Sequence, residues 1–272
     1  MQKKMMVLLV VAMLSLSILG PGSVRAQEEN YQTNLTVLIN KLDTSITSLR
    51  QGDVDDASAL ISDASTIYQS NLSPDIENND NSLDSKIEQA FTSLAQEPTE
   101  SGIFALKTDI LQAADLIGVS LPPLYAYSLF IILAIAVIVS LLVTLLNKHL
   151  VNWGLVRESK AKIAEFQKEL REARTKRDMK QLHKIQQRQG EIVKLQGQMF
   201  KQTLKPTIIY LVPLMLLWII LLNVYSGWVV AWLPFNIDLP IFGRLVAFGV
   251  GWWYFISYMG FSQIFRKVLI GD

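Results

Sequence analysis

Apolar residues in the first part of the chain recur at intervals of three and four, the period of a helix with one buried face. Leu35, Leu38, Leu42, Ile46 and Leu49 form one such stripe. Val54, Ala57, Leu60, Ile61, Ala64 and Ile67 form a second; Leu83, Ile87, Phe91 and Leu94 a third; Ile103, Leu106, Ile110 and Ala114 a fourth. Gly52-Asp53, the polar stretch 73–82 and Glu97-Pro98 separate them with residues that end and begin helices. The pattern predicts a small four-helix unit over 27–121, loosely packed because the stripes are narrow.

Beyond that unit the stripes give way to solid runs. Residues 124–146 are 23 consecutive uncharged positions, bordered by Pro122-Pro123 and by Asn147-Lys148-His149. Such a run is long enough to cross a bilayer. A second uncharged run, 207–225, contains Pro213, and a third apolar run, 241–261, uncharged but for Arg244, ends ahead of Arg266-Lys267. Prolines are tolerated in spans because neighbouring groups re-satisfy the backbone. Three transmembrane helices are therefore expected at 122–147, 206–225 and 241–262. Tyr125, Tyr127, Trp228 and Trp232 stand where interfacial aromatics belong.

Between the first two spans, 148–205 is rich in Glu, Lys, Arg and Gln, all good helix formers. Ile163, Phe166, Leu170 and Ala173 step at helical spacing, as do Leu182, Ile185, Gln189 and Ile192, with Met199 seven residues on. The pattern slips at 175–178, which predicts two helices folded back as an antiparallel coiled coil.

The first 26 residues add Lys3 and Lys4, an apolar stretch, the helix-breaking Gly20-Pro21 and a small-x-small end at Val24-Arg25-Ala26. That is the order of a cleaved signal peptide, and the apolar stretch is short for a permanent anchor. The predicted fold is all-α and integral to the membrane: a leader, an acidic extracytoplasmic helical domain, three spans, an outer loop at 226–240 and a cytoplasmic tail at 263–272.

Charge orients this plan. Half of the 272 residues are apolar, and a net charge of +1 hides strong segregation. The stretch 27–121 has 16 acidic and 4 basic residues, a balance of −12, whereas 147–206 has 15 basic and 6 acidic, a balance of +9. Basic loops stay in the cytoplasm, so the arm belongs inside and the acidic unit outside, in agreement with the leader. Cell-membrane localisation follows.

Candidate chemistry is sparse. The chain has no cysteine and two histidines, His149 and His183, which excludes disulfides, thiolate catalysis and cysteine-held metal and argues against a histidine cluster. It carries no Gly-rich phosphate loop, so neither an enzyme nor a cofactor is expected. Asn34-Leu35-Thr36 and Asn71-Leu72-Ser73 are glycosylation sequons, and unmodified surface asparagines are the even alternative.

Polar residues within the spans matter more. Ser140, Thr144 and Asn147 fall in the inner part of the first, Thr207 and Tyr210 open the second, and the third holds Arg244, Ser257 and Gln263. Polar groups in hydrocarbon are costly unless they meet water or a partner. Their clustering predicts a wet groove open to the cytoplasm, against the alternative of ordinary interhelical hydrogen bonds. Arg244 is the sharpest of them, with snorkelling to the outer interface as its alternative. Arg171, Arg174, Lys176, Arg177 and Lys180 near the tip of the arm are the docking candidates; fixing topology and touching anionic lipid is their simpler role.

From Pro122 onward the order span, basic hairpin, span, short outer loop, span resembles the YidC-like membrane insertases. It is closest to the archaeal branch, related to the third subunit of the endoplasmic-reticulum membrane protein complex. Local resemblances are Asn147-Lys148-His149-Leu150-Val151, Lys205-Pro206, Leu233-Pro234-Phe235, Trp253-Tyr254-Phe255, Gly260 and Phe265. The resemblance implies an insertase or chaperone that passes substrate spans along a cytoplasm-facing hydrophilic groove beside a thinned bilayer. It further implies Arg244 as the groove arginine and a hairpin that meets ribosome or nascent chain. Its partners would be the lipid bilayer, nascent membrane proteins, the ribosome and a further membrane subunit. The leader and the acidic outer domain depart from that family, and bacterial relatives have five core spans. The rival function is a signal transducer or scaffold subunit that links an outer sensory unit to a cytoplasmic coiled coil.

Overall fold

The computed structural model describes residues 26–176, 179–239 and 243–271. The expected leader, 1–26, lies outside them except for Ala26, where the first helix begins. The described chain divides into two compact units, one of 26–136 with 219–258, the other of 137–218 with 259–271.

The first unit begins with α1 (Ala26–Gln51), α2 (Val54–Asn71), α3 (Ser73–Asn79), α4 (Asn81–Gln96) and α5 (Glu100–Leu116). Five helices thus replace the expected four, because the polar stretch 73–82 holds the short α3. The breaks are set by local chemistry. Gly52 turns the chain at φ +94°, a left-handed conformation that favours glycine. Asp53 caps α2 by accepting from Asp56 N at 3.1 Å, and Thr99 Oγ1 caps α5 by accepting from Gly102 N at 3.3 Å. Asp80 caps α4, and its bonds from Ser82 Oγ (2.7 Å) and Leu83 N (3.0 Å) hold its carboxyl below the usual value.

The stripes close on one core, and the packing is tight where the narrow stripes had suggested looseness. Leu35, Leu38, Leu42, Ile46, Ile61, Ile87 and Ile110 have no exposed surface. Two polar pairs are sealed among them. Tyr68 donates to Asp84 at 2.7 Å, and burial with that bond pushes the phenol upward. Lys107 Nζ meets Asp43 Oδ1 at 2.5 Å.

The same unit contains an antiparallel pair, β1 (Val229–Leu239) and β2 (Gly243–Gly249), in which Trp232 faces Ala247 and Asp238 faces Arg244. This corrects the all-α expectation: the outer loop at 226–240 is largely strand, and the third span begins as strand, with helix only from Val250. Val, Ile, Trp and Phe fit a pleated strand as well as a membrane helix, so an uncharged run does not choose between them. Pro234 falls in the irregular stretch between Trp232 and Ile237, where it removes no ladder bond.

Among the described residues two helices are long and apolar enough to cross a membrane, α7 (Ser128–Leu150) and α10 (Gln189–Val224). The third expected span is not a further one. Its helix, α11 (Val250–Leu269), carries Ser257, Ser262, Gln263, Arg266 and Lys267 within its length.

In the second unit α8 (Trp153–Thr175) and α9 (Met179–Gln187) bury Phe166, Ala173 and Ile185 together with Ile192 of α10. Ile163, Leu170, Leu182 and Leu195 line this seam, and Arg188 reaches Glu169 at 3.0 Å. The expected seam positions Gln189 and Met199 differ: Gln189 is exposed, because a turn at Arg188 shifts the face, and Leu195 packs on the seam. The helix α10 runs through Pro206 and Pro213 without a break, about 54 Å at 1.5 Å per residue.

Candidate functional site

The polar residues expected in the spans sort into three groups. Ser140 and Thr144 are buried on α7 and bond to their own helix, Ser140 Oγ to Val137 O at 2.9 Å and Thr144 Oγ1 to Ser140 O at 2.7 Å. Hydroxyls satisfied this way need no water. Asn147, one turn on, is half-buried, and its carbonyl accepts from Trp153 Nε1 at 3.1 Å.

On α10, Thr207 Oγ1 bonds Thr203 O at 2.9 Å and lies 3.1 Å from the Tyr210 hydroxyl. Both are half-buried, so a pair of hydroxyls stands on a helix whose Ile208, Leu211, Val212 and Met215 are exposed. The pair sets polar atoms amid the apolar part of this helix. On α11, Ser257 is buried and belongs to the first unit, whereas Gln263 is exposed in the second.

Arg244 is not in a helix. It lies in β2, exposed, with Nε 3.1 Å from Asp238 Oδ1 across the hairpin and Nη1 3.5 Å from Arg50 O. It was expected on a helical span; it stands instead on a strand, with a cross-strand carboxylate as its partner.

The guanidinium that organises this region is Arg50, which sequence reasoning passed over. From the last turn of α1 it donates to Leu233 O at 2.8 Å and Val246 O at 3.3 Å, one carbonyl from each strand. It also pairs with Glu100 of α5 and lies 5.0 Å from the Trp232 ring centroid. Trp232 in turn meets Phe104 edge-on at 5.9 Å. Asn40 donates to Ser226 O at 3.3 Å beside Gly227, whose φ of +70° is a left-handed conformation that favours glycine. The available signal was compositional, since Arg50 is one of 4 basic residues in the acidic stretch.

Two of the expected interfacial aromatics are interlocked instead. Tyr125 donates to Val224 O and Tyr225 to Leu124 O, each at 2.9 Å, with the rings edge-on at 5.7 Å. Trp228 Nε1 donates to Ser128 Oγ at 3.1 Å and Trp253 Nε1 to Leu129 O at 3.0 Å. These bonds fasten the start of α7 to the end of α10 and the first turn of α11. Trp232 lies under Arg50, and Tyr127 is exposed.

A family model described as integral membrane protein EMC3/TMCO1-like matches residues 119–272, from the end of α5 through both apolar helices to the last residue. The chain belongs to that family. It is thereby placed in the insertase-related Oxa1/YidC/Alb3 superfamily and among proteins of the subunit type found in membrane complexes. No curated protein and no solved structure matches. The helical unit before residue 119 lies outside the family match.

Of the docking candidates of this EMC3/TMCO1-like chain, Arg171, Arg174, Lys176 and Lys180 are exposed where α8 ends and α9 begins, and Arg177 lies outside the described residues. The sequon asparagines touch each other, Asn34 Nδ2 donating to Asn71 Oδ1 at 2.9 Å, with both half-buried on helices. Among the described residues no group of acidic and histidine side chains is arranged to hold a metal.

Proposed function

We propose that this protein is a membrane-protein insertase or chaperone that works without covalent chemistry, cofactor or nucleotide. The family match over both apolar helices carries the reading, and the Thr207–Tyr210 hydroxyl pair is the feature on which we place the substrate path. A hydrophilic edge inside the bilayer shortens the hydrocarbon distance that a substrate's polar flank must cross, lowering its desolvation barrier. Transfer of the substrate's apolar segment into lipid then drives release. In this proposal Asn147 and Gln263 extend that edge toward the cytoplasmic surface.

In this proposal the chain sits in the cell membrane with the acidic helical unit outside and α8 and α9 inside as an antiparallel coiled coil. The basic tip formed by Arg171, Arg174, Lys176 and Lys180 meets the ribosome or the nascent chain, and a further membrane subunit closes the path. The sequon asparagines are acceptors only if the chain is modified before α1 packs on α2, since in the folded unit the Asn34 amide donates to Asn71 Oδ1 and the Asn71 amide to Ile67 O.

Photocrosslinkers placed at Thr207 and Tyr210 during translation are expected to capture nascent membrane proteins, while probes at Ile208 and Met215 capture lipid. Equal capture at all four positions would remove the substrate path from this helix. The rival is a signal transducer or scaffold subunit that links an outer sensory unit to a cytoplasmic coiled coil. On that reading neither hydroxyl position would crosslink substrate, and truncating the arm would alter the outer unit's hydrogen exchange.

A further inference from the structure

We propose that the base of the arm is a binding site for an anionic phospholipid, in which Arg157 and Arg266 take the headgroup phosphate beside the Trp153 indole. The site is built from three places in the chain, all in the second unit. Trp153 and Arg157 are one turn apart at the start of α8, and Arg266 and Ile270 are one turn apart at the end of α11. These turns lie against each other: Arg157 Nη2 donates to Ile270 O at 2.7 Å, and the Arg266 guanidinium carbon lies 5.7 Å from the Trp153 ring centroid. Trp153 Nε1 is held by Asn147 O in the last turns of α7. Two guanidinium groups distant in sequence are thus fixed around one indole.

The surrounding charge is predominantly basic. Lys148 and His149 end α7 and Lys267 follows Arg266, all exposed. The nearby carboxylate Glu158 is engaged by Lys162 at 2.7 Å. Arg157 gives one N–H to Ile270 O, and a guanidinium has five in a planar fork that matches phosphate oxygens. Position selects the ligand. The cluster stands at the ends of α7 and α11, where the apolar run of α7 stops, and a tryptophan flanked by arginines at that depth suits the headgroup layer of a leaflet rich in anionic lipid. The shared chemistry is a phosphate ester; the lipid form is favoured because the site borders hydrocarbon. This reading stands apart from the insertase proposal.

The test is retention of phosphatidylglycerol against phosphatidylcholine by the full-length protein in mixed nanodiscs, read by native mass spectrometry after release. Each arginine is expected to contribute roughly fivefold, so Arg157→Gln with Arg266→Gln should lower the preference roughly twenty-five-fold. Lys194→Gln with Lys201→Gln removes the same charge from exposed arm positions and should leave it within twofold. Arg157→Lys with Arg266→Lys keeps the charge without the forks and should retain an intermediate preference, which guards against loss by misfolding. Equal losses in the arm and base glutamine variants, or no loss in the latter, would overturn the site. Displacement of the lipid by millimolar inorganic phosphate would overturn its assignment to lipid.

Discussion

Replacing Lys107 with methionine is expected to destabilise the outer helical unit by about 3–5 kcal/mol, the cost of leaving a buried charge without its partner. Asp43 is 2% exposed, and its carboxylate is met by Lys107 Nζ at 2.5 Å. Burial raises the Asp43 carboxyl above its ordinary value, and the Lys107 charge and hydrogen bond act in the opposite direction. Without lysine only the raising influence remains. Asp43→Asn combined with Lys107→Met should recover most of the loss, since an amide and a thioether in that space carry no charge to desolvate.

The sign of the pH dependence follows. With the folded-state value raised, the folded unit binds this proton more tightly than the unfolded chain does. The contribution of Asp43 to stability is thus fully present below the unfolded carboxyl value, near 3.8, and is lost as pH rises through the folded value. The Lys107→Met variant should lose stability over a wider pH interval than the wild type. Pulse proteolysis of the full chain across pH 4–8, scored on fragments from 27–121, measures both effects. Coincident curves for wild type and variant would show that the pair contributes nothing.

The second large effect is expected at Arg50. Arg50→Ala removes donors from Leu233 O and Val246 O, the partner of Glu100 and the cation over Trp232. Hydrogen bonds to charged groups contribute about 1.5–3 kcal/mol each, and orphaned acceptors add their own desolvation cost. Amides of β1 and β2 should then exchange with solvent on the order of a hundredfold faster, which 2.7 kcal/mol would produce. The core amides of α2 and α4, bonded within their own helices, should be unchanged. Arg50→Lys keeps the charge but not the fork, and should restore only part of the protection. Hairpin exchange in Arg50→Ala equal to the wild-type rate would mean that the strands need nothing from α1. Such a result would free the outer unit to act as a separate sensory module, the rival reading.

Much of the plan was legible in the sequence because it follows from periodicity and charge. The stripes through Leu35, Ile61, Phe91 and Ile110 identified buried faces directly, since a helix repeats its inward face every three or four residues whatever it packs against. The apolar runs at 124–146 and 207–225 correspond to α7 and α10 because length and lack of charge are local properties. The seam through Phe166, Ala173, Ile185 and Ile192 was equally open to the eye.

The site was less legible. Polar residues in an apolar run signal a groove only if they face one another, and spacing along one helix does not say whether a hydroxyl turns back on its own carbonyl. Ser140, Thr144 and Thr207 all turn back on their own helix, and Thr207 also lies beside the Tyr210 hydroxyl. Arg244 had looked like a charge in hydrocarbon because its neighbours are apolar; its partner Asp238 lies across a strand pair that no helical period announces.

By itself the sequence determined the amphipathic helical stripes, two of the three spans it predicted, the charge polarity and the family. The tertiary structure decided whether the apolar stretch around Arg244 begins as helix or strand, and which arginine holds the hairpin. Both decisions rest on contacts between distant positions: Arg50 reaches Leu233 across 183 residues and Val246 across 196. A carbonyl's need for a donor is written into every residue alike, and only the folded chain determines which side chain arrives to meet it.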